Sequence, residues 1–167
     1  MYTAHCASPV GELLLASDGE NLTGLWLAGQ KHYADGLDDG VETDCSLPLF
    51  RQTKRWLEDY FAGERPAIDL IPLAPKGSEF RRRICQLMCE IPYGTLTTYG
   101  QLAKEYETRF GQKTSARAVG GAVGHNPISI VIPCHRVVGA DGAITGYAGG
   151  VDKKTFLIEL EQKNCRG

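Results

Sequence analysis

The hydrophobic pattern of this chain changes its period near Gly77. Before that point apolar residues come in short runs broken by turn signals; after it they recur every three or four residues. The join itself, Pro75-Lys76-Gly77, is rich in residues that interrupt regular structure. A switch from strand-like to helix-like spacing across such a join predicts two units, residues 1–77 of mixed α+β character and residues 78–167 mainly helical. With 167 residues the chain has room for one domain or two small ones around a substantial core.

In the first unit, LLLAS and LTGLWL flank Asp18-Gly19-Glu20-Asn21, which reads as a β-hairpin. Residues 48–62 set Leu49, Thr53, Trp56, Leu57, Tyr60 and Phe61 at helical spacing, with Gly63 as a stop. IDLIPLAPKG is expected to be one more short strand followed by a linker.

Three helices are expected next. SEFRRRICQLMCEIP begins on a serine cap and carries Phe80, Ile84, Leu87 and Met88 on one face as far as Pro92. TTYGQLAKEY has a cap at Thr97 or Thr98 and an apolar spacing through Tyr99, Leu102, Ala103 and Tyr106. After a polar turn, ETRFGQK, comes TSARAVGGAVGHNP, and two short helices joined in this way form a helix-turn-helix candidate. ARAVGGAVG is almost wholly Ala, Gly and Val around Arg117. Each helical glycine costs up to about 1 kcal/mol relative to alanine, so Gly120 and Gly121 must gain something. Close packing inside the protein is one gain; a smooth helix face that slides into a nucleic-acid groove is another. Past Gly139, Asp141-Gly142 marks a turn and GYAGG a flexible loop, and a terminal helix capped by Asp152 carries Phe156, Leu157 and Leu160.

Composition narrows the class. Hydrophobic residues make up 43% and charged residues 23%, an ordinary soluble balance. The N-terminus lacks a basic stretch followed by a long apolar core, and LLLA and ISIVI are too short to span a bilayer, so a cytoplasmic protein is expected. The six cysteines (Cys6, Cys45, Cys85, Cys89, Cys134, Cys165) are expected to be reduced. Zinc is weighed because His5 adjoins Cys6 and Cys85 lies four residues from Cys89, but there is no CxxC pair, and the expectation is no metal. The net charge of −2 hides an uneven distribution. Residues 1–75 carry five Lys/Arg against twelve Asp/Glu, whereas residues 76–136 carry nine against four. A basic segment on an acidic chain suits a phosphate-binding face or a solvated helix.

That basic segment ends at NPISIVIPCHRVVG, where an apolar run closes on proline and is followed by a thiol, an imidazole and a guanidinium. A free thiol has a pKa of about 8.5 and needs a base to act as a nucleophile near neutrality. His135 is adjacent, yet on a straight strand neighbouring side chains face opposite ways, so a break at Pro133 or a bridging water is required. A buried core cysteine beside an unrelated histidine remains open from the residues alone.

The whole segment, with IPYGTLTTYGQLA and ARAVGGAVGHNP upstream, resembles the O6-alkylguanine-DNA alkyltransferases (methylated-DNA–protein-cysteine methyltransferases), whose PCHRV core is highly specific. The likeness extends more loosely to LEDYFAGERPAIDL and SPVGELLLASDGENLTGL, and so covers nearly the whole chain. It implies an RNase H-like N-terminal domain and a winged helix-like DNA-binding domain. It implies Cys134 as alkyl acceptor, His135 as its base through a water, and Glu161 rather than Glu159 as the group orienting His135. Asn126 would tie the recognition helix to the active-site loop, and Tyr99 would assist base rotation and donate to the leaving guanine. Arg117 would replace the flipped nucleotide, with Ala116, Gly120 and Arg136 also against DNA. Pro133, Val137, Tyr147 and Ala148 would line the alkyl pocket. GSEF stands where the family often has GT before a hydrophobic–Phe pair, and Gln162 follows Glu161 where the family often has glycine; neither departure touches an implied reactive group.

The implied chemistry is coherent. A soft thiolate suits displacement at the sp³ carbon of an O6-alkyl group, the buried base must first be extruded, and the thioether product leaves the protein spent after one turnover. The expected partner is double-stranded DNA carrying O6-alkylguanine, with O4-alkylthymine as a second substrate to consider. No cofactor and no membrane are expected, and the protein is expected to be a monomer. The rival readings are an alkyltransferase-like protein that binds lesions without transfer, a cysteine hydrolase, and a structural or redox protein. The first lacks the reactive cysteine that Cys134 supplies here, and the second leaves the Ala/Gly helix unexplained.

Overall fold

A computed structural model describes residues 1–165 other than 36, 38–41, 44, 45 and 145. The chain opens with three strands, β1 (Tyr2–Cys6), β2 (Leu13–Ser17) and β3 (Leu22–Leu27). β2 and β3 form the expected antiparallel hairpin, closed by Asp18, whose carboxylate accepts from the amides of Glu20 and Asn21 at 2.9 and 2.7 Å. With the short β4 (Glu42–Thr43) they make a sheet ordered β3-β2-β1-β4, in which β4 runs parallel to β1.

Helix α1 (Pro48–Phe61) packs its stripe of Leu49, Phe50, Thr53, Trp56, Leu57 and Tyr60 into the core. Pro48 starts it where a missing amide hydrogen costs nothing. The strand expected after it is absent. Ile68–Leu70 form a 3-10 turn, and only Leu73 pairs, bridging to Leu22 of β3. Pro72 and Pro75 remove two of the amides a ladder would need.

Three caps that lie within their own segments set the next helices. α2 (Glu79–Cys89) starts on Ser78, whose hydroxyl accepts from the Arg81 amide. After the two-residue β5 (Thr97–Thr98), α3 (Tyr99–Phe110) starts on a full capping box of Thr98 and Gln101, worth about 1 kcal/mol. α3 takes in most of the expected polar turn and ends at Gly111, in the left-handed conformation. α4 (Ala116–Gly124) is capped by Ser115. The helix-turn-helix candidate is therefore α3 and α4, joined by residues 111–115.

The apolar run that closes on Pro133 has strand-like composition but forms a buried, turn-rich segment. Ile128 alone bridges to Leu25 of β3, with Leu25 N donating to Pro127 O and Ser129 N donating to Leu25 O. Ile130 sits at φ +72°, a conformation that interrupts any strand and that a β-branched residue adopts only under constraint. The segment leads through a 3-10 turn, Cys134–Arg136, into β6 (Val137–Val138), which pairs in parallel with β5. α5 (Val151–Cys165) closes the chain. Asp152 lies inside its first turn rather than at its cap, where its charge still favours the helix amide end. Leu157 is buried on α5 and Phe156 is exposed.

One continuous apolar cluster runs from Leu13, Leu15 and Leu25 through Phe50 and Leu57 to Ile84, Met88, Val119, Ile132 and Leu157. The two units thus share a core, and the segment before Cys134 is pinned to the edge of the N-terminal sheet. Among the described residues, no helix is long and apolar enough to cross a membrane.

Candidate active site

Asn126 is the first fixed point. Its side chain accepts from Ile128 N at 3.0 Å and donates to Ile132 O at 2.9 Å and Ile128 O at 3.3 Å. One buried amide therefore closes the segment that follows α4, and it does so across the strained Ile130. The backbone then enters the Cys134–Arg136 turn, with Cys134 N donating to Ile132 O at 2.8 Å. In a 3-10 turn successive side chains diverge by about a third of a circle, so Cys134 and His135 are not held on opposite faces.

Cys134 is 5% exposed. Burial pushes its thiol up, while the Asn126 side chain and the Lys154 ammonium pull the other way. His135 has no exposed surface. Burial holds it below the usual histidine range against the pull of Glu161, so it rests neutral near pH 7. Its Nε2 lies 2.5 Å from Glu161 Oε2, and its Nδ1 is buried without a hydrogen-bond partner among the described residues. Facing an ionised carboxylate, Nε2 carries the ring proton and Nδ1 keeps the lone pair.

Glu161 is the hub. Oε2 accepts from His135 Nε2, from Tyr60 Oη at 2.5 Å and from an Arg136 terminal nitrogen at 3.2 Å. Oε1 accepts from Arg136 Nε at 2.7 Å and from the Gly94 amide at 3.1 Å. Burial works to raise the carboxyl's pKa, but the bonds and charges of His135 and Arg136 outweigh it and hold the group at about 2. Glu159, two residues away, is exposed.

Arg136 requires a correction. It is 7% exposed, bonded to Glu161 through two nitrogens and to Ile91 O through the third, and so it lies inside the protein instead of on a DNA-facing surface. Its planar fork serves the buried carboxylate, a use to which lysine is poorly suited.

Tyr99 heads α3, and its ring abuts α4, since a Cβ on Gly120 would meet it at 3.8 Å. Lys154 Nζ lies 3.5 Å from the Tyr99 hydroxyl and donates to Val137 O at 2.6 Å. Burial lowers the pKa of Lys154, and the Cys134 thiol acts against that shift. Tyr147 is buried, with a hydroxyl that has no partner among the described residues, and the thiol of Cys134 is near enough to perturb it. The Ala148 carbonyl accepts from Lys31 N at 3.0 Å, tying this loop to the N-terminal unit. Pro133 and Val137 are buried on either side of the turn. Ala116 and Arg117 are exposed on the first turn of α4, and Arg117 makes no hydrogen bond or ion pair among the described residues.

Sequence reasoning missed Lys154 and took Tyr60 for an ordinary core residue. Lys154 shares a face of α5 with Leu157, Ile158 and Glu161, and a lysine on an apolar stripe was the available signal. Of the residues weighed as metal ligands, His5 pairs with Glu12 at 2.9 Å and the Cys6 thiol contacts the Ala7 carbonyl. Among the described residues there is no group of three or more side chains able to hold a metal. Cys6, Cys85, Cys89, Cys134 and Cys165 are free thiols, and Cys45 lies outside the described residues.

Comparison with known proteins bears on this constellation directly. Residues 1–75 match the family described as 6-O-methylguanine DNA methyltransferase, ribonuclease-like domain, and residues 79–163 match the DNA binding domain of the same name. A methylated-DNA–protein-cysteine methyltransferase of Haemophilus influenzae is 43% identical over 97% of this chain and 87% of the relative. One from Methanosarcina acetivorans is 45% identical over 96% of this chain and 98% of its own. The crystal structure of Mycobacterium tuberculosis OGT in complex with DNA superposes with a TM-score of 0.85 at 38% identity, covering 98% of this chain and 94% of that one. With the thiol, imidazole and buried carboxylate gathered at the PCHR turn, the chain belongs to the methylated-DNA–protein-cysteine methyltransferase family.

Proposed function

We propose that the protein reverses alkylation damage in DNA by moving an O6-alkyl group from guanine to Cys134. The observation that carries this reading is the Cys134 turn, in which the residue after the thiol is a neutral imidazole held by an ionised, buried carboxylate. His135 Nδ1 takes the thiol proton, directly or through a water, and Glu161 stabilises the imidazolium that results. The thiolate attacks the alkyl carbon, a C–S bond forms, and the C–O6 bond breaks with its electron pair passing to the guanine. The Tyr99 hydroxyl, which lies beside Lys154, donates to that oxygen or ring. The product is a thioether with no carbonyl for water to attack, so each molecule acts once and no cofactor enters the reaction.

The modified base must leave the stack, at a cost of a few kcal/mol, to reach a thiol this deep. Arg117, exposed on α4 beside Ala116 and the glycines, fills the gap, and α4 lies in the groove. A Cβ on Gly121 would meet nothing within 4 Å, and one on Gly120 only an ordinary contact, so close packing within the protein does not require these glycines. That leaves an approaching partner as the reason for the smooth face. Pro133, Val137, Tyr147 and Ala148 line the alkyl pocket. The protein acts as a monomer in the cytoplasm, where its substrate is, with the two domains meeting between residues 77 and 78.

The test is transfer of label from duplex DNA carrying labelled O6-methylguanine. Label on the Cys134 peptide, stoichiometric and absent from Cys134→Ala, is expected. Label that stays on DNA, or that moves equally well in Cys134→Ala, overturns the reading.

A further inference from the structure

Resting on the alkyl-transfer reading above, we propose that Tyr60 of the N-terminal unit is a positioning residue for that reaction, its hydroxyl setting the tautomer and base strength of His135 through Glu161. Tyr60 is 1% exposed and its ring packs as a core ring does, stacked on Trp56 at 5.6 Å and edge-on to Phe61 at 5.2 Å. A phenylalanine would serve that packing. The hydroxyl does something else. It stands 2.5 Å from Glu161 Oε2, the oxygen that also receives His135 Nε2, and 3.4 Å from Nε2 itself.

Two consequences follow from hydrogen-bond valence. A phenol that gives its one hydrogen to Oε2 has none for Nε2, so the imidazole must supply its own proton there. Nδ1 is thereby kept as the lone pair available to the thiol. The phenol also draws charge from Oε2, which weakens the pull of Glu161 on an imidazolium and keeps His135 a moderate base. Burial and the Glu161 charge push the Tyr60 pKa up, so it stays a donor throughout the working pH range. The other charged or titratable groups around the imidazole are Arg136 on its own turn, Lys154 and Glu161 from α5, and Cys134, with Tyr93 edge-on to Tyr60 and Arg65 over the Tyr93 ring. Arg136 and the Gly94 amide also hold Glu161, but among the described residues of the N-terminal unit only Tyr60 reaches both Glu161 and His135. The ribonuclease-like domain thus contributes a group to the activation of a thiol carried by the other domain.

The experiment measures the rate of Cys134 modification against pH for the full chain. One arm uses iodoacetamide, read on the Cys134 peptide, and the other uses duplex O6-methylguanine. In Tyr60→Phe the carboxylate loses one donor at Oε2, pulls harder on His135 and favours the thiolate–imidazolium pair, so the midpoint of the iodoacetamide profile moves to lower pH by about half a unit or more. A 3-fluorotyrosine installed at position 60 is a stronger donor of nearly the same size and moves the midpoint to higher pH. A purely structural Tyr60 alters the melting temperature or the plateau rate and leaves both midpoints in place, and that result overturns the inference. A shift of the fluorinated protein to lower pH overturns it as well. If Tyr60→Phe does not fold, the fluorinated protein alone decides. Failure of the duplex arm in the unmodified protein would instead strike the alkyl-transfer reading, because the iodoacetamide arm does not depend on DNA.

Discussion

The turn at Cys134–Arg136 and the helix α4 lie within twenty residues of each other and are built on opposite terms. At the turn the groups that support the chemistry are met from inside the protein, while His135 Nδ1 is left without a partner among the described residues: Glu161 takes five hydrogen bonds, Arg136 spends all three of its nitrogens, and Asn126 closes the segment that leads in. On α4, Arg117 has no partner among the described residues and the glycines beside it touch almost nothing. Chemistry at a buried thiol needs its geometry fixed before substrate arrives. If α4 reads a DNA groove, as proposed above, it gains from being left unfinished, because its partners are on the DNA. The two regions should therefore fail in different ways.

The largest effect belongs to the turn. Arg136→Ala removes one member of a buried ion pair and leaves the Glu161 carboxylate with only His135, Tyr60 and the Gly94 amide among the described residues. A loss on the order of 3–5 kcal/mol is expected, which for a chain of this size lowers the melting temperature by roughly 10 °C. Arg117→Ala, by contrast, should leave the melting temperature nearly unchanged. Equal thermal shifts in the two variants would erase the distinction between the regions.

Acid should expose the same difference. Glu161 has a folded pKa of about 2 against an ordinary 4.5, so its stabilisation is complete above pH 4.5 and is lost as pH falls towards 2. The shift corresponds to something on the order of 3 kcal/mol. His135 acts earlier: its folded pKa lies below the ordinary 6.5, so the unfolded chain binds the proton first and stability starts to fall below pH 6.5. Urea unfolding at stepped pH should show a decline beginning near 6.5 and steepening below 4.5. In Glu161→Gln the steeper part should flatten, because the titrating carboxylate is gone; an unchanged acid limb would move the origin of acid sensitivity elsewhere.

How much of this was legible depended on whether the cause lay nearby in sequence. The β2–β3 hairpin, the Ser78 cap and the turn at Asp141 are settled by residues within a few positions, and they read correctly; the α3 cap was narrowed to Thr97 or Thr98, of which Thr98 is the one used, and the Ser115 cap went unread. The apolar run before Cys134 read as a strand because periodicity cannot separate a buried strand from a buried loop. What decides it is the Asn126 amide, the bridge to Leu25 and the φ of Ile130. Arg136 read as a DNA contact because its true partners, Glu161 and Ile91, lie 25 and 45 residues away. Tyr60 and Lys154 sit on apolar stripes, and a stripe does not tell where a hydroxyl or an ammonium at its edge will end. The roles of Cys134, His135 and Glu161 came from resemblance, which carries such long-range information without deriving it.

On α4 the effects should be smaller and tied to DNA. Arg117→Ala should slow repair of duplex O6-methylguanine by about tenfold or more, equivalent to about 1.4 kcal/mol, and slow reaction with the free modified base by less. Single-turnover rates on both substrates give the ratio directly. Equal losses on both would remove the guanidinium from the space left by the extruded base.

Gly121→Ala gives the finest contrast, because it should move stability and binding in opposite directions. The helix is regular there, the site is exposed, and the added methyl meets nothing within 4 Å in the free protein. Alanine should therefore stabilise the fold by about 0.5–1 kcal/mol, through helix propensity alone. If α4 lies in a DNA groove, the same methyl meets the sugar–phosphate wall and raises the dissociation constant several-fold. A mutation at the turn cannot give this crossed signature, since damage there costs folding and reactivity together. Thermal melting and fluorescence anisotropy on the same preparation would read both signs. Stabilisation with unchanged DNA affinity would place Gly121 outside the interface and confine the smooth face to Ala116, Arg117 and Gly120.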